Sequence, residues 1–132
     1  TRMIGLDTSA IIDIFRGEEK IKQFLENNKE PLAATIMGYL ELFFGLDFQN
    51  PKHKEEGKYY DEFFKNIYSI NLTKDACEEA SKIFWNLKKE GKSIEQFDCV
   101  IAAIFITNGI TKILTRNSKH FDKIKELKVL SY

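Results

Sequence analysis

Residues 3–17 read MIGLDTSAIIDIFRG. Met3 to Leu6 make a short apolar run, which Asp7, Thr8 and Ser9 interrupt before a second apolar stretch begins. The pattern predicts a buried strand over 3–6, then a helix from Thr8 to Arg16 stopped by Gly17. Asp7 therefore stands at the carboxyl end of the first strand. A solvent-facing turn is the simplest explanation for a carboxylate there. The rest of the chain supplies another.

Working outward, strand and helix signals keep alternating. EEKIKQFLENN, 18–28, is amphipathic, with Ile21, Phe24 and Leu25 on one face. PLAAT, 31–35, reads as a strand opening on proline, and Thr35 is placed to cap a helix through IMGYLELFFGLDF. Pro51 takes a first helical position for 51–67, YSINL over 68–72 alternates as a strand, and Thr73 caps a helix over 74–90 ended by Gly91. Ser93 and Gln96 have capping-box spacing for a helix over 94–108. KILT (112–115) reads as a strand, HFDKIKEL as a short helix and KVLSY as a closing strand. Such alternation predicts a parallel sheet covered on both faces. In sheets of this kind ligands bind beyond the carboxyl ends of the strands, where Asp7 falls.

Composition narrows the class. The chain has 132 residues, which fits one domain over 1–132, and 43% of them are hydrophobic and 30% charged, as in ordinary globular proteins. Twenty basic residues balance twenty acidic ones. A net charge of zero argues against coating nucleic acid by bulk electrostatics, but not against a local basic rim around an acidic site. The apolar runs are too short to span a bilayer, and no secretory signal is visible around Met3, which Thr1 and Arg2 precede. The expected compartment is the cytoplasm. Cys77 and Cys99 lack the spacing of a disulfide framework or zinc site and read as reduced, partly buried thiols, while His53, in PKHKEE, reads as surface.

Three further polar residues sit in apolar company. Glu41 is the only charge between Thr35 and Asp47 and is flanked by leucines, on a helix apolar nearly all round and so expected to be buried. An ionised carboxylate in that setting is costly unless paired or coordinated. Asp98 is the only charge in FDCVIAAIFI, and by itself is explained by the helix dipole. Asn117, in TRN after KILT, is by itself a turn residue. Asp7, Glu41, Asp98 and Asn117 all lie near points where a parallel sheet can bring connections together at one edge. Hard oxygen ligands of this kind suit Mg²⁺ or Mn²⁺ rather than zinc, and phosphodiester hydrolysis is the matching reaction class.

DTSAIIDIFRG, TIMGYLELFFG, FDCVIAAIF and ILTRNSKHF, in that order, resemble the PIN-domain ribonucleases, in particular VapC-like toxins of type II toxin–antitoxin systems. The resemblance runs from Met3 to the last strand. It implies a Rossmann-like α/β/α sandwich around a parallel sheet. It also implies a Mg²⁺- or Mn²⁺-dependent endoribonuclease acting on RNA, homodimeric and inhibited by a small cognate antitoxin. By the same resemblance Asp7, Glu41 and Asp98 match the acidic metal-site residues, and Asn117 matches a fourth position that is Asp in many members. Thr8 and Thr115 match hydroxyl positions near the site that orient a carboxylate or a water. Asn for Asp removes one negative charge and weakens the case for a second ion. Asp13 resembles an often acidic position, but is expected at the surface or in capping. Arg16, Arg116 and Lys119 are expected to be solvated charges. Phe43, Phe44, Phe48 and Phe63 would give the antitoxin an apolar groove.

Other classes fit less well. A haloacid-dehalogenase-type phosphatase wants Asp two residues after its nucleophile, where Ser9 stands, and a receiver domain wants an acceptor Asp ending YSINL, which has none. A PIN nuclease of RNA maturation and a noncatalytic module of the same fold are the remaining alternatives. A small antitoxin reading frame beside the gene separates toxin from maturation enzyme.

Overall fold

The structure, a computed structural model, describes residues 2–132; Thr1 lies outside them. Strand β1 (Ile4–Leu6) leads into α1 (Thr8–Phe15) and α2 (Glu19–Glu26), and β2 (Leu32–Thr35) into α3 (Ile36–Phe44) and α4 (Pro51–Lys65). Next come β3 (Tyr68–Ile70), α5 (Lys74–Lys89) and α6 (Gln96–Thr107), then β4 (Lys112–Leu114), the short α7 (Ser118–Phe121) and β5 (Lys128–Leu130). The strands form one sheet in the order β3-β2-β1-β4-β5, every neighbouring pair parallel. The chain runs outward from β1 on one side and then crosses back to continue beyond it on the other. That reversal falls between β1 and β4, and there the carboxyl ends of a parallel sheet open a crevice.

Successive strand residues face opposite sides, so the short strands feed two cores. Ile4, Leu6, Ala34 and Leu114 pack with Ile11, Ile21, Leu42 and Phe64 on one side. Ala33, Ile70 and Ile113 pack with Ala80, Ile83 and the apolar run of α6 on the other. Gly5 faces this second layer, and a Cβ there would stand 2.7 Å from the fully buried Phe105 ring. The central strand and α6 approach closely because that position has no side chain.

The predicted caps on three helices are present: Thr35 Oγ1 accepts the Gly38 N–H at 3.0 Å, Thr73 Oγ1 accepts the Ala76 N–H at 3.1 Å, and Pro51 opens α4. Other expectations need correction. The capping box at Ser93 does not form, because α6 starts only at Gln96 and its cap residue, Glu95, makes no side-chain cap bond. HFDKIKEL is not a continuous helix. α7 ends at Phe121, and turns then carry the buried Phe121, Ile124 and Leu127 inward every third residue. Helix α3 is not enclosed either: Ile36, Leu40 and Phe44, four residues apart, leave one face to solvent, with Phe44 71% exposed. Cys77 is exposed and Cys99 buried, both free. His53 is half-buried, with Nδ1 accepting the Asp47 N–H.

Candidate active site

Register fixes the first contact of the site. Leu6 pairs with Leu114 across β1 and β4, so the next residues, Asp7 and Thr115, leave the sheet side by side. Thr115 Oγ1 donates to Asp7 Oδ2 at 2.7 Å. Asp7 also caps α1: its Oδ1 accepts the Ala10 N–H at 2.9 Å and the Ser9 hydroxyl at 2.8 Å. The carboxylate is 2% exposed, so the solvent-facing turn is excluded. Burial pushes its pKa up, the Thr115, Ala10 and Ser9 hydrogen bonds oppose the rise, and the negative charge of Asp98 adds to it.

Glu41 lies a turn and a half into α3, the helix that Thr35 starts at the end of β2. Thr8, first residue of α1, donates from Oγ1 to Glu41 Oε1 at 2.6 Å, which ties the two strand ends together. The Glu41 carboxyl is also held above its ordinary range, by burial first and then, against the Thr8 bond, by Asp98, Asp7 and Glu95. Asp98 occupies the first turn of α6, and its Oδ2 lies 2.9 Å from His120 Nδ1. Burial raises its pKa, the His120 contact opposes this, and Glu95 adds repulsion. Asn117 heads α7 and donates its backbone N–H to Thr115 Oγ1 at 2.9 Å, while its carboxamide makes no cap bond to the helix.

The sequence positions Asp7, Thr8, Glu41, Asp98, Thr115 and Asn117 thus fall at one edge of the sheet, linked by hydrogen bonds and by carboxylate repulsion. Among the described residues no three His, Cys, Asp or Glu side chains form a ready-made ligand set for an ion. When ionised, the Asp7, Glu41 and Asp98 carboxylates repel one another. The donor chemistry itself, carboxylate oxygens and one carboxamide oxygen, fits a hard divalent cation. Among the described residues, Asp98 Oδ1 and Glu41 Oε2 accept no hydrogen bond.

The PIN-domain pattern matches residues 4–127. The chain belongs to the PIN-domain family. It is similar to Ribonuclease VapC of Rickettsia bellii, 33% identical over 130 residues, covering 96% of this chain and 93% of the relative. Ribonuclease VapC1 of Methanocaldococcus jannaschii is 30% identical over 131 residues, covering 98% and 86%. Among solved structures, VapBC2 from Rickettsia felis bound to a promoter DNA fragment superposes with a TM-score of 0.84 at 20% identity, covering 98% of both chains. VapBC-1 from nontypeable Haemophilus influenzae gives 0.82 at 22%, covering 98% of this chain and 97% of the other. These likenesses establish the fold, the α/β/α sandwich with a parallel sheet expected from the sequence.

Within this PIN domain, sequence reasoning gave no role to three groups. Ser9 bridges Asp7 and the backbone, donating to the carboxylate while accepting the Arg116 N–H at 3.1 Å. His120 holds Asp98, and Glu95 places a further negative charge beside Glu41 and Asp98. Asp13 is also corrected: it is 3% exposed rather than at the surface. Its Oδ1 accepts from Arg116 at 3.0 Å and its Oδ2 from the Tyr132 hydroxyl at 2.6 Å. Arg116 is accordingly paired rather than a free solvated charge. Its anchoring fixes the backbone between Thr115 and Asn117.

Proposed function

We propose that the chain is a Mg²⁺- or Mn²⁺-dependent endoribonuclease, the toxin of a VapBC-type toxin–antitoxin pair, working in the cytoplasm as one PIN-like domain over 1–132. The observation that carries the reading is the set of three carboxylates, Asp7, Glu41 and Asp98, each raised in pKa by burial and by an acidic neighbour at the sheet's carboxyl edge. A purely structural cluster gains nothing from such repulsion. Family membership supplies the substrate class.

Asp7, Glu41 and Asp98 would hold the cation, with Asn117 contributing a carboxamide oxygen or a bridging water. When bound, Mg²⁺ or Mn²⁺ supplies Lewis-acid polarisation of the phosphodiester and charge stabilisation at the leaving oxygen. The protein's part is positional. Thr115 and Ser9 fix the Asp7 carboxylate, and Thr8 fixes Glu41. Asn117 adds no charge, so the site carries three ligand charges and attracts a second ion less strongly than a four-acid site would.

An antitoxin needs an apolar landing surface. Phe44 and Phe48 are 71% and 50% exposed, beside the aromatic cluster of Tyr39, Phe43 and Tyr60. These rings and the open face of α3 also support the homodimer that the family implies. Purified protein should cleave structured RNA with Mg²⁺ or Mn²⁺, stop on addition of a chelator and resume when the metal is restored. Cleavage that persists at full rate in chelator would contradict the metal requirement.

A further inference from the structure

His120 occupies a place that capping and core packing do not explain. Its Nδ1 lies 2.9 Å from Asp98 Oδ2, across 22 residues of sequence. An ionised carboxylate only accepts hydrogen bonds, so Nδ1 carries the proton and donates. The residue is fixed from two sides. Its backbone N–H donates to the Asn117 carbonyl at 3.0 Å, and its neighbour Phe121 is fully buried in the second core. The Asp98 side chain is 15% exposed, so Asp98 has little solvent to orient in, while the imidazole is 44% exposed. Oδ2 of Asp98 is thus occupied, and Oδ1 accepts no hydrogen bond among the described residues.

The three acids share one arrangement. Asp7 has hydroxyl donors from Ser9 and Thr115, Glu41 has the Thr8 hydroxyl, and Asp98 has an imidazole N–H in their place. Carboxylates that ligate metals are commonly held in this way by a neighbouring donor, which selects the oxygen turned to the ion. Mg²⁺ and Mn²⁺ prefer oxygen donors, so the imidazole suits the task of holding a ligand better than that of being one.

We propose that His120 is a positioning residue of the metal site: its Nδ1–H holds Asp98 Oδ2 so that Oδ1 faces the cation alongside Asp7 and Glu41. The proposal rests on the metal-site reading above. It also links two site residues mechanically, because Asn117 caps the helix that carries His120 and its carbonyl accepts the His120 N–H, so a shift of that turn moves both.

The test is Mn²⁺ titrated into the full chain without RNA, with free Mn²⁺ followed by its electron paramagnetic resonance signal. His120→Ala should weaken Mn²⁺ binding by about 10–100-fold. His120→Asn places an amide N–H where Nδ1 stood and should keep binding close to the parent. Thermal unfolding in chelator should be alike for the parent and both variants, which separates positioning from folding. Mn²⁺ binding by His120→Ala as tight as the parent's would overturn the proposal. Equal loss in His120→Asn and His120→Ala would overturn it too, since the ring itself and not its donor would then be needed. If Asp98→Asn weakens binding and His120→Ala does not, only the role of His120 falls. If the parent binds no Mn²⁺, the metal site falls with it.

Discussion

Glu41 is a carboxylate held on an apolar helix among other acids. It ionises beside Asp98, Asp7 and Glu95, and only the Thr8 hydroxyl favours its charged form. Its folded pKa lies above its ordinary value of 4.5, so protonation favours the folded state. The stabilisation is complete below that value and is lost as pH rises through the folded pKa. At neutral pH, without divalent metal, ionised Glu41 therefore works against folding. Glu41→Gln keeps an oxygen for Thr8 and removes the charge. Its midpoint of thermal unfolding in chelator should exceed the parent's at pH 7, and the gain should vanish as pH falls below about 4.5. A variant less stable than the parent at pH 7 would show that the charge is compensated. Asp7 and Glu41 were legible in the sequence because a carboxylate in apolar surroundings needs a reason wherever it occurs. Ser9 was not, because a serine two residues past Asp7 reads as ordinary turn and helix-start chemistry; His120 and Asp13 were not, because their partners are remote in sequence. Asp13 reads locally as one polar residue on an amphipathic helix, yet Arg116 and Tyr132 lie 103 and 119 residues away.

Among the elements, α3 and α6 show where apolar composition informs and where it misleads. Both are apolar nearly all round. Helix α6 is enclosed over Ile101 to Phe105, all at 0% exposure, and of its large apolar side chains leaves only Phe97, in the first turn, open, whereas α3 leaves Ile36, Leu40 and Phe44 open along its length. Composition alone does not separate a helix buried by its own chain from one that keeps a face for a partner. Local signals did fix the caps at Thr35 and Thr73, since those depend on neighbours three residues away. They failed at Ser93, since α6 starts at Gln96 with no side-chain cap. At Gly5 the sheet and α6 approach too closely for a side chain. Gly5→Ala would press a methyl group against Phe105, which has no free space to move into. We expect a loss of about 1–3 kcal/mol in urea unfolding, with β1 displaced from α6. An unchanged midpoint would mean that the layers give way more easily than the 2.7 Å approach implies.

Across the whole molecule, strand order brings four scattered sequence positions to one edge of the sheet. β1 lies in the middle of the sheet, β2 on one side sends out α3 with Glu41, and β4 on the other sends out Thr115 and Asn117. α6, packed over the second core, brings Asp98 to the same edge. The parallel sheet was legible from the strand–helix alternation, but the order β3-β2-β1-β4-β5 was not, because local pattern does not say which strands pair. The molecule also carries an apolar groove of about 640 Å³ between α3 and the end of β3, lined by Ile36, Leu40, Phe43 and Leu72 among others. Together with Phe44 and Phe48 it leaves several large apolar side chains in contact with solvent on this face. Co-expression with a neighbouring antitoxin frame should yield a copurifying complex that does not cleave RNA. A complex with full activity, or no association, would turn the reading toward RNA maturation.

If the carboxylate cluster cuts RNA, removing the charge of Asp98 must slow cleavage. Single-turnover cleavage of a structured RNA by the parent and by Asp98→Asn should be measured in saturating Mn²⁺, with folding of both verified by thermal unfolding. The substitution removes a ligand charge with almost no change in volume, and the His120 N–H can still bond the amide oxygen. The account predicts that the parent cleaves and that Asp98→Asn, equally folded, loses at least about 100-fold in rate, as expected when a transition-state charge stabiliser is disabled. Undiminished cleavage by folded Asp98→Asn would contradict it.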